Sequence, residues 1–232
     1  MTDRQKNLLR ILINEHVKTS KPVGSKFINE EYNLGLSPAT IRNEMVILEK
    51  NGFLMHPHTS AGRVPTDKGY RWYISSLDKS HNVLGEREKE ALRKKISSVS
   101  ETDQALKRVA DLLSDLTHST ALATLSFDDI YYHGLRYTLR HPEFEEKNQI
   151  LGMVDLVDHL IDFFHDLPSF ESEVIYVGEE NPYLRKASCS FLATPYSFRE
   201  QEGVLGLLGP TRMDYGRNLK LLDFITNELE KI

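Results

Sequence analysis

The sequence predicts an α+β protein: an N-terminal winged helix-turn-helix, a helical linker, and a C-terminal domain of strands and helices. Three observations carry that prediction. Residues 1–54 contain three runs of helical apolar spacing separated by short turns, and a Pro/Gly-punctuated hairpin pattern follows them. Residues 86–117 read as two charged helices with apolar stripes. From Ser119 onward, strand-like apolar runs alternate with helical ones. The predicted boundaries are 1–79, 80–118 and 119–232.

The first helix is predicted over residues 3–16, capped by Asp3, with Leu8, Leu9, Ile11 and Leu12 on its buried side. VKTSKPVG makes a turn, and Ser25 to Tyr32 a short helix with Phe27 and Ile28 facing in. The next helix, in LSPATIRNEMVILEKNGFL, has both ends written into it. Ser37 is the N-cap, Pro38 suits the first helical position, and Gly52 suits the left-handed residue past the end. Ile41, Met45 and Leu48 form its core stripe. Its other face presents Ala39, Arg42, Asn43, Val46 and Lys50. A guanidinium can bridge guanine O6/N7 and an amide adenine N6/N7, and small neighbours such as Ala39 let a helix seat deep in a major groove. Thr40 shares this first turn with Ser37. An ordinary amphipathic surface helix has a similar outline, and it is the flanking elements that favour a reading helix.

Phe53 to Met55 is predicted as a strand, TSAG as a turn, and Arg63–Val64 as a return strand ended by Pro65. This hairpin is a wing. His58, Ser60, Gly62 and Arg63 supply polar groups and a close backbone for phosphate or minor-groove contact. His56 and His58 share one strand face, but no third ligand stands nearby, so wing contacts are preferred to a metal. Thr66 or Asp67 caps a further helix whose Tyr70, Trp72, Tyr73, Ile74 and Leu77 close the wing onto the core.

Charge supports a polar division of labour. The whole chain has a formal net charge of −5, yet residues 1–76 hold 11 Lys+Arg against 7 Asp+Glu, a net of +4. The remaining 18 and 27 give −9. A basic head on an acidic body suits a protein that touches phosphates with one end.

Residues 78–85 read as a linker. A helix follows over Glu86 to Ser98, with Leu92, Ile96 and Val99 inward. The run Ser100-Glu101-Thr102-Asp103 resembles a capping box for a second helix reaching Thr117. Its two stripes, Ala105/Val109/Leu112/Leu116 and Leu106/Ala110/Leu113, suit dimer packing or packing within one chain. Strands are expected at Ser119–Phe127, Glu173–Val177, Ser188–Pro195 and Val204–Leu208. Helices are expected at Glu146–Leu167 and from Asp214, the last with Leu219, Leu222, Ile225 and Leu229.

The runs LSPATIRNEM and HPHTSAGRVPTDKGYRWY, together with IYVGEEN, SFLATPY and GLLGPTRMDYGRNLKLLDFI, resemble the heat-inducible transcription repressor HrcA family. That resemblance implies a repressor of chaperone operons, acting as a homodimer on an inverted-repeat operator in double-stranded DNA, with the chaperonin GroEL as partner. It also implies a GAF-like C-terminal α/β domain. This chain passes from STALATLSF almost directly to IYYHGLRYTLRHPEF, so it resembles a shortened form lacking most of the family's inserted dimerisation domain.

Catalysis finds no support in the sequence. Cys189 alternates into a strand interior as a small buried thiol. GVLGLLG lacks the Lys and Ser/Thr of a P-loop. Arg212, before the last helix, suits either an anion or a plain strand-to-helix turn. No catalytic residue, metal or cofactor is expected. One cysteine fits a reducing cytoplasm, MTDRQKNLLRILINEH is too charged for a signal peptide, and no stretch is apolar enough to span a membrane. The alternative function is an effector-gated regulator with a small molecule in the GAF-like domain.

Overall fold

Thr2, not Asp3, starts the first helix of the computed structural model. Its hydroxyl accepts from the Gln5 N–H while the Gln5 side chain answers the Thr2 N–H, a complete capping box. Asp3 instead lies in the first turn, where its charge complements the helix dipole. This helix, α1, runs Asp3–Thr19. The structure describes residues 1–57, 62–78, 84–97, 102–126, 129–166, 172–199 and 201–231. They divide into two units, Met1–Leu77 and Asp78–Ile232.

In the first unit, α2 (Ser25–Tyr32) and α3 (Pro38–Lys50) follow α1. A two-stranded antiparallel hairpin, β1 (Leu54–Met55) with β2 (Val64–Pro65), precedes α4 (Asp67–Ser75). Leu8, Leu9, Leu12, Ile13, Ile28, Ile41 and Leu48 are almost fully buried and form the core. Each is worth about 1.5–3 kcal/mol relative to exposure. Phe27 was expected inside with Ile28, but it is 41% exposed. Adjacent helical positions point about 100° apart, and this short helix turns Ser25 and Ile28 inward. Thr66 caps α4 by accepting from the Gly69 N–H. Tyr70 is buried and meets His16 at 2.7 Å, and Tyr73 donates to Asn14 at 2.8 Å, so α4 is tied back to α1. Trp72, Ile74 and Leu77 are half-buried. Pro65, expected to end the return strand, lies within it, opposite Leu54.

The second unit begins with α5 (Glu86–Ser97) and α6 (Thr102–Thr117). Its sheet strands are β3 (Thr120–Ser126), β4 (Asp129–His133), β5 (Val174–Tyr176), β6 (Cys189–Phe198) and β7 (Gln201–Pro210). Their order is β4-β3-β7-β6-β5, and every neighbouring pair is antiparallel. The architecture is therefore α+β with antiparallel sheets, and the α/β label expected for this part is corrected. The hairpin turn from β6 to β7 explains much of it: Phe198 faces Gln201, and Arg199 takes a left-handed φ of 50°. β4 was not foreseen as a strand. Its apolar and polar residues do not alternate, and its pairing with β3 supplies what periodicity could not.

The helices α7 (Leu135–Thr138), α8 (Lys147–Asp158), α9 (Leu160–His165) and α10 (Pro182–Ala187) precede the last, α11 (Tyr215–Leu229). One long helix was expected over Glu146–Leu167. It breaks at His159, whose φ of −113° and ψ of 26° leave the helical region and whose ring nitrogen meets the Asp155 carbonyl at 2.7 Å. The break lets Leu160, Phe163 and Phe164 join Phe144, Met153, Leu156 and Phe191 in an aromatic-rich cluster on one sheet face. α6 and α11 contact the sheet through β3 and β6. Leu92, Ile96, Leu106, Val109, Ala110, Leu112, Leu113, Leu222, Ile225 and Leu229 are all buried. Most residues of the apolar stripes thus pack within the unit, while Leu116 and Leu219 are half-buried. Val99, Ser100, Glu101, Phe127, Leu167 and most of the expected linker lie outside the described residues, as does the Ala105 side chain.

Candidate nucleic-acid interface

The start of α3 is built as the sequence leads one to expect. The Ser37 hydroxyl accepts from the Thr40 N–H at 3.1 Å and lies 2.9 Å from the Thr40 hydroxyl. Pro38 is the first helical residue. Gly52 has a φ of 76°, and its N–H bonds the Glu49 carbonyl, so the chain leaves the helix through a left-handed residue. Ile41, Met45 and Leu48 point into the core. That orientation leaves Ala39, Arg42, Asn43 and Lys50 exposed, Thr40 and Val46 half-exposed, on the side turned to solvent.

The charges of α3 are sorted by face. Glu44 accepts from Gln5 at 2.9 Å and pairs with Arg4 at 3.4 Å, both on α1. Glu49 pairs with Arg63 at 2.8 Å. Among the described residues, the side chains of Arg42, Asn43 and Lys50 have neither a hydrogen bond nor an ion pair. The helix's acids are paired within the unit, and its two bases, Arg42 and Lys50, are not. Such a face attracts a polyanion and offers two forked donors near the helix N-terminus.

Arg63 sits differently from its expected place. Its backbone exchanges two 2.9 Å hydrogen bonds with Val23 at the base of the hairpin, and its guanidinium faces Glu49 and His56. The side chain is only 13% exposed. Gly62 packs so tightly that a Cβ would lie 2.3 Å from the Val23 carbonyl oxygen. His58 and Ser60 lie outside the described residues. The ring of His56 is engaged with Arg63.

Other candidates resolve into structure. Cys189 is fully buried, and burial pushes its thiol up to about 12; such a thiol is inert near neutrality. The Arg212 guanidinium binds the Glu143 carboxylate and lies 3.0 Å from a ring nitrogen of His141. The anion it holds is the chain's own, and the pair fastens the turn before α11. Among the described residues, no helix is long and apolar enough to cross a membrane.

An α+β chain with a basic N-terminal unit and unpaired bases on one exposed helix face has the make-up of a transcription regulator, and its relatives are transcription repressors. The chain belongs to the HrcA family: the family model described as HrcA protein C terminal domain matches residues 81–219. The heat-inducible transcription repressor HrcA of Pelotomaculum thermopropionicum is 26% identical, over all of this chain and 97% of that protein. That alignment spans 336 positions, so 104 of them (336 minus 232) face no residue here. The protein of the same name from Thermosynechococcus vestitus is 34% identical over 83% of this chain and 52% of its own length. A crystal structure described as a hypothetical protein at 2.2 Å resolution superposes with a TM-score of 0.77 at 20% identity, covering 100% of this chain and 97% of the other. It attests the fold.

Proposed function

We propose that this chain is a repressor of heat-shock (chaperone) genes that binds duplex DNA through the first unit, acting as a winged helix-turn-helix with α3 in the major groove. The observation that carries this reading is the sorting of charge on α3: Glu44 and Glu49 are paired within the unit, while Arg42, Asn43 and Lys50 are not. Arg42 and Asn43 read base edges, Lys50 meets a phosphate, and Ser37, Ala39 and Thr40 bring the helix end close to the duplex. Gly62 and Arg63 set the angle of the wing that carries His58 and Ser60.

Membership of the family supports an inverted-repeat operator, and such an operator requires two heads related by a two-fold axis. A homodimer in the cytoplasm with GroEL as its regulatory partner completes the proposal, and both parts rest on that kinship. The second unit, a shortened GAF-like domain, serves in assembly. Its sheet face is filled by Phe144, Phe163, Phe164 and Phe191, which favours a structural part over a small-molecule site. The test is selection from a random DNA pool with the purified full chain. Enrichment of an inverted repeat is expected, and enrichment of no duplex would refute the proposal.

A further inference from the structure

The start of α2 borders a notch of about 190 Å3, walled on its other sides by Arg42 and Met45 of α3 and by Gly62 and Arg63 at the hairpin base. Its floor is furnished for an anion. The N-cap of α2 is Gly24, which has no side chain to accept from the first-turn N–H groups. Ser25 is only 8% exposed, lines the notch, and has no side-chain partner among the described residues. The Ser25 hydroxyl stays within reach of solvent, so it is free to donate to a group that enters the notch. Two bases flank the opening. Arg42 is unpaired, and the Lys26 ammonium has its nearest carboxylate, Glu30, at 3.8 Å. Arg63 is drawn back onto Glu49. The backbone at Gly62 presses against Val23 and Gly24, leaving no room there for a Cβ, and so fixes the shape of the notch.

We propose that this notch seats one phosphate of the DNA backbone. The Ser25 hydroxyl and the first-turn N–H groups of α2 donate to its oxygens, and Lys26 and Arg42 balance its charge. The proposal rests on the DNA-binding reading above and deepens it. A free phosphate ion has the same chemistry. The duplex is the source favoured here because Arg42 belongs both to the notch and to the exposed face of α3. A group seated in the notch therefore lies beside whatever α3 meets. One anchored phosphate would set how far α3 slides along the groove, making Ser25 and Lys26 positioning residues for the readers on α3.

The experiment uses the full chain and a duplex recovered from the random pool. A series of duplexes carries a single methylphosphonate, each neutralising one backbone position. At one position per bound head the wild type should lose about tenfold in affinity, the worth of one charge-assisted hydrogen bond. Ser25→Ala and Lys26→Ala should each shrink that loss to within about twofold. Lys26 is exposed on the surface, so its variant tests the proposal even if Ser25→Ala folds poorly. An identical penalty profile in the wild type and in Lys26→Ala overturns the notch alone, while a wild type that binds no duplex overturns the DNA reading and the notch together. Inorganic phosphate at constant ionic strength forms the second arm. If it raised the melting temperature in a Ser25-dependent way while no methylphosphonate position responded, the site would be one for a free anion and the proposal would fail.

Discussion

The guanidinium of Arg63 lies 2.8 Å from the carboxylate of Glu49, and that pair fastens the base of the hairpin to the last turns of α3. The same arginine bridges Val23 through its backbone, so the α1–α2 connection, α3 and the hairpin meet at one residue. Arg63→Ala and Glu49→Gln should both lower DNA affinity by loosening the wing. From sequence alone, loss of Arg63 should flatten the salt slope by about one unit. With its charge already matched by Glu49, we expect clearly less than one unit. Gel-shift titrations at several salt concentrations check this. A full unit would mean that Arg63 leaves Glu49 for a phosphate on binding.

Arg42→Ala should cost about 1–3 kcal/mol and relax preference at one base position. Asn43→Ala should relax a different position. Lys50→Ala should weaken all sequences alike, because a phosphate contact carries no base information. Selection repeated with each variant separates these outcomes, and an Arg42→Ala protein with wild-type affinity would remove α3 as the reader.

Stability should depend on pH through Glu15 and Tyr32, which join α1 to α2. The Tyr32 hydrogen bond, with help from Lys18, holds the Glu15 carboxyl below its ordinary value of 4.5. A lowered carboxylate contributes stability above 4.5 that is lost as pH falls through the folded value. Burial first, then the bond to Glu15, pushes Tyr32 up from 10 to about 12. A raised phenol contributes stability that is lost as pH rises from 10 toward 12. Urea unfolding should therefore show a smaller acid loss in Glu15→Gln and a smaller alkaline loss in Tyr32→Phe. Parallel profiles for variant and wild type would contradict the linkage.

Gly152 sits inside α8, where alanine would ordinarily gain about 1 kcal/mol in helix propensity. Here a Cβ would lie 2.3 Å from the Lys186 carbonyl oxygen, so α8 and α10 approach too closely to admit it. Overpacking costs about 1–3 kcal/mol or more, so the clash wins. Gly152→Ala should lower the melting temperature of the second unit, and a raised one would show that the two helices separate freely.

Self-association should be weaker than in relatives that have the 104 further positions. Most stripe residues of α5, α6 and α11 are buried in their own unit, so these helices offer a partner little apolar surface. Sedimentation equilibrium should show a homodimer that dissociates on dilution and warming. A dimer persisting at nanomolar concentration up to unfolding would contradict this. Leu112→Asp should unfold the second unit rather than yield a folded monomer, since it puts an unpaired charge into a core position.

Local chemistry made α3 legible before any coordinates. Ser37, Pro38 and Gly52 fix the ends of α3 through caps and a left-handed residue, and the spacing of Ile41, Met45 and Leu48 fixes which face looks outward. These are effects within a few residues of chain, which is why sequence alone sufficed to place Arg42 and Asn43 on the exposed side of α3. Contacts between distant segments decided the rest. Nothing near Arg63 in sequence announces that Glu49, fourteen residues earlier, claims its charge. Nothing near Ser25 announces a notch, because its walls come from α3 and the hairpin. The kink at His159 and the strand β4 likewise follow from what packs against them: an aromatic cluster on one sheet face and the free edge of β3. Caps and periodicity determine elements and their outward faces, whereas pairing of charges, the walls of a notch and register of strands depend on which elements meet.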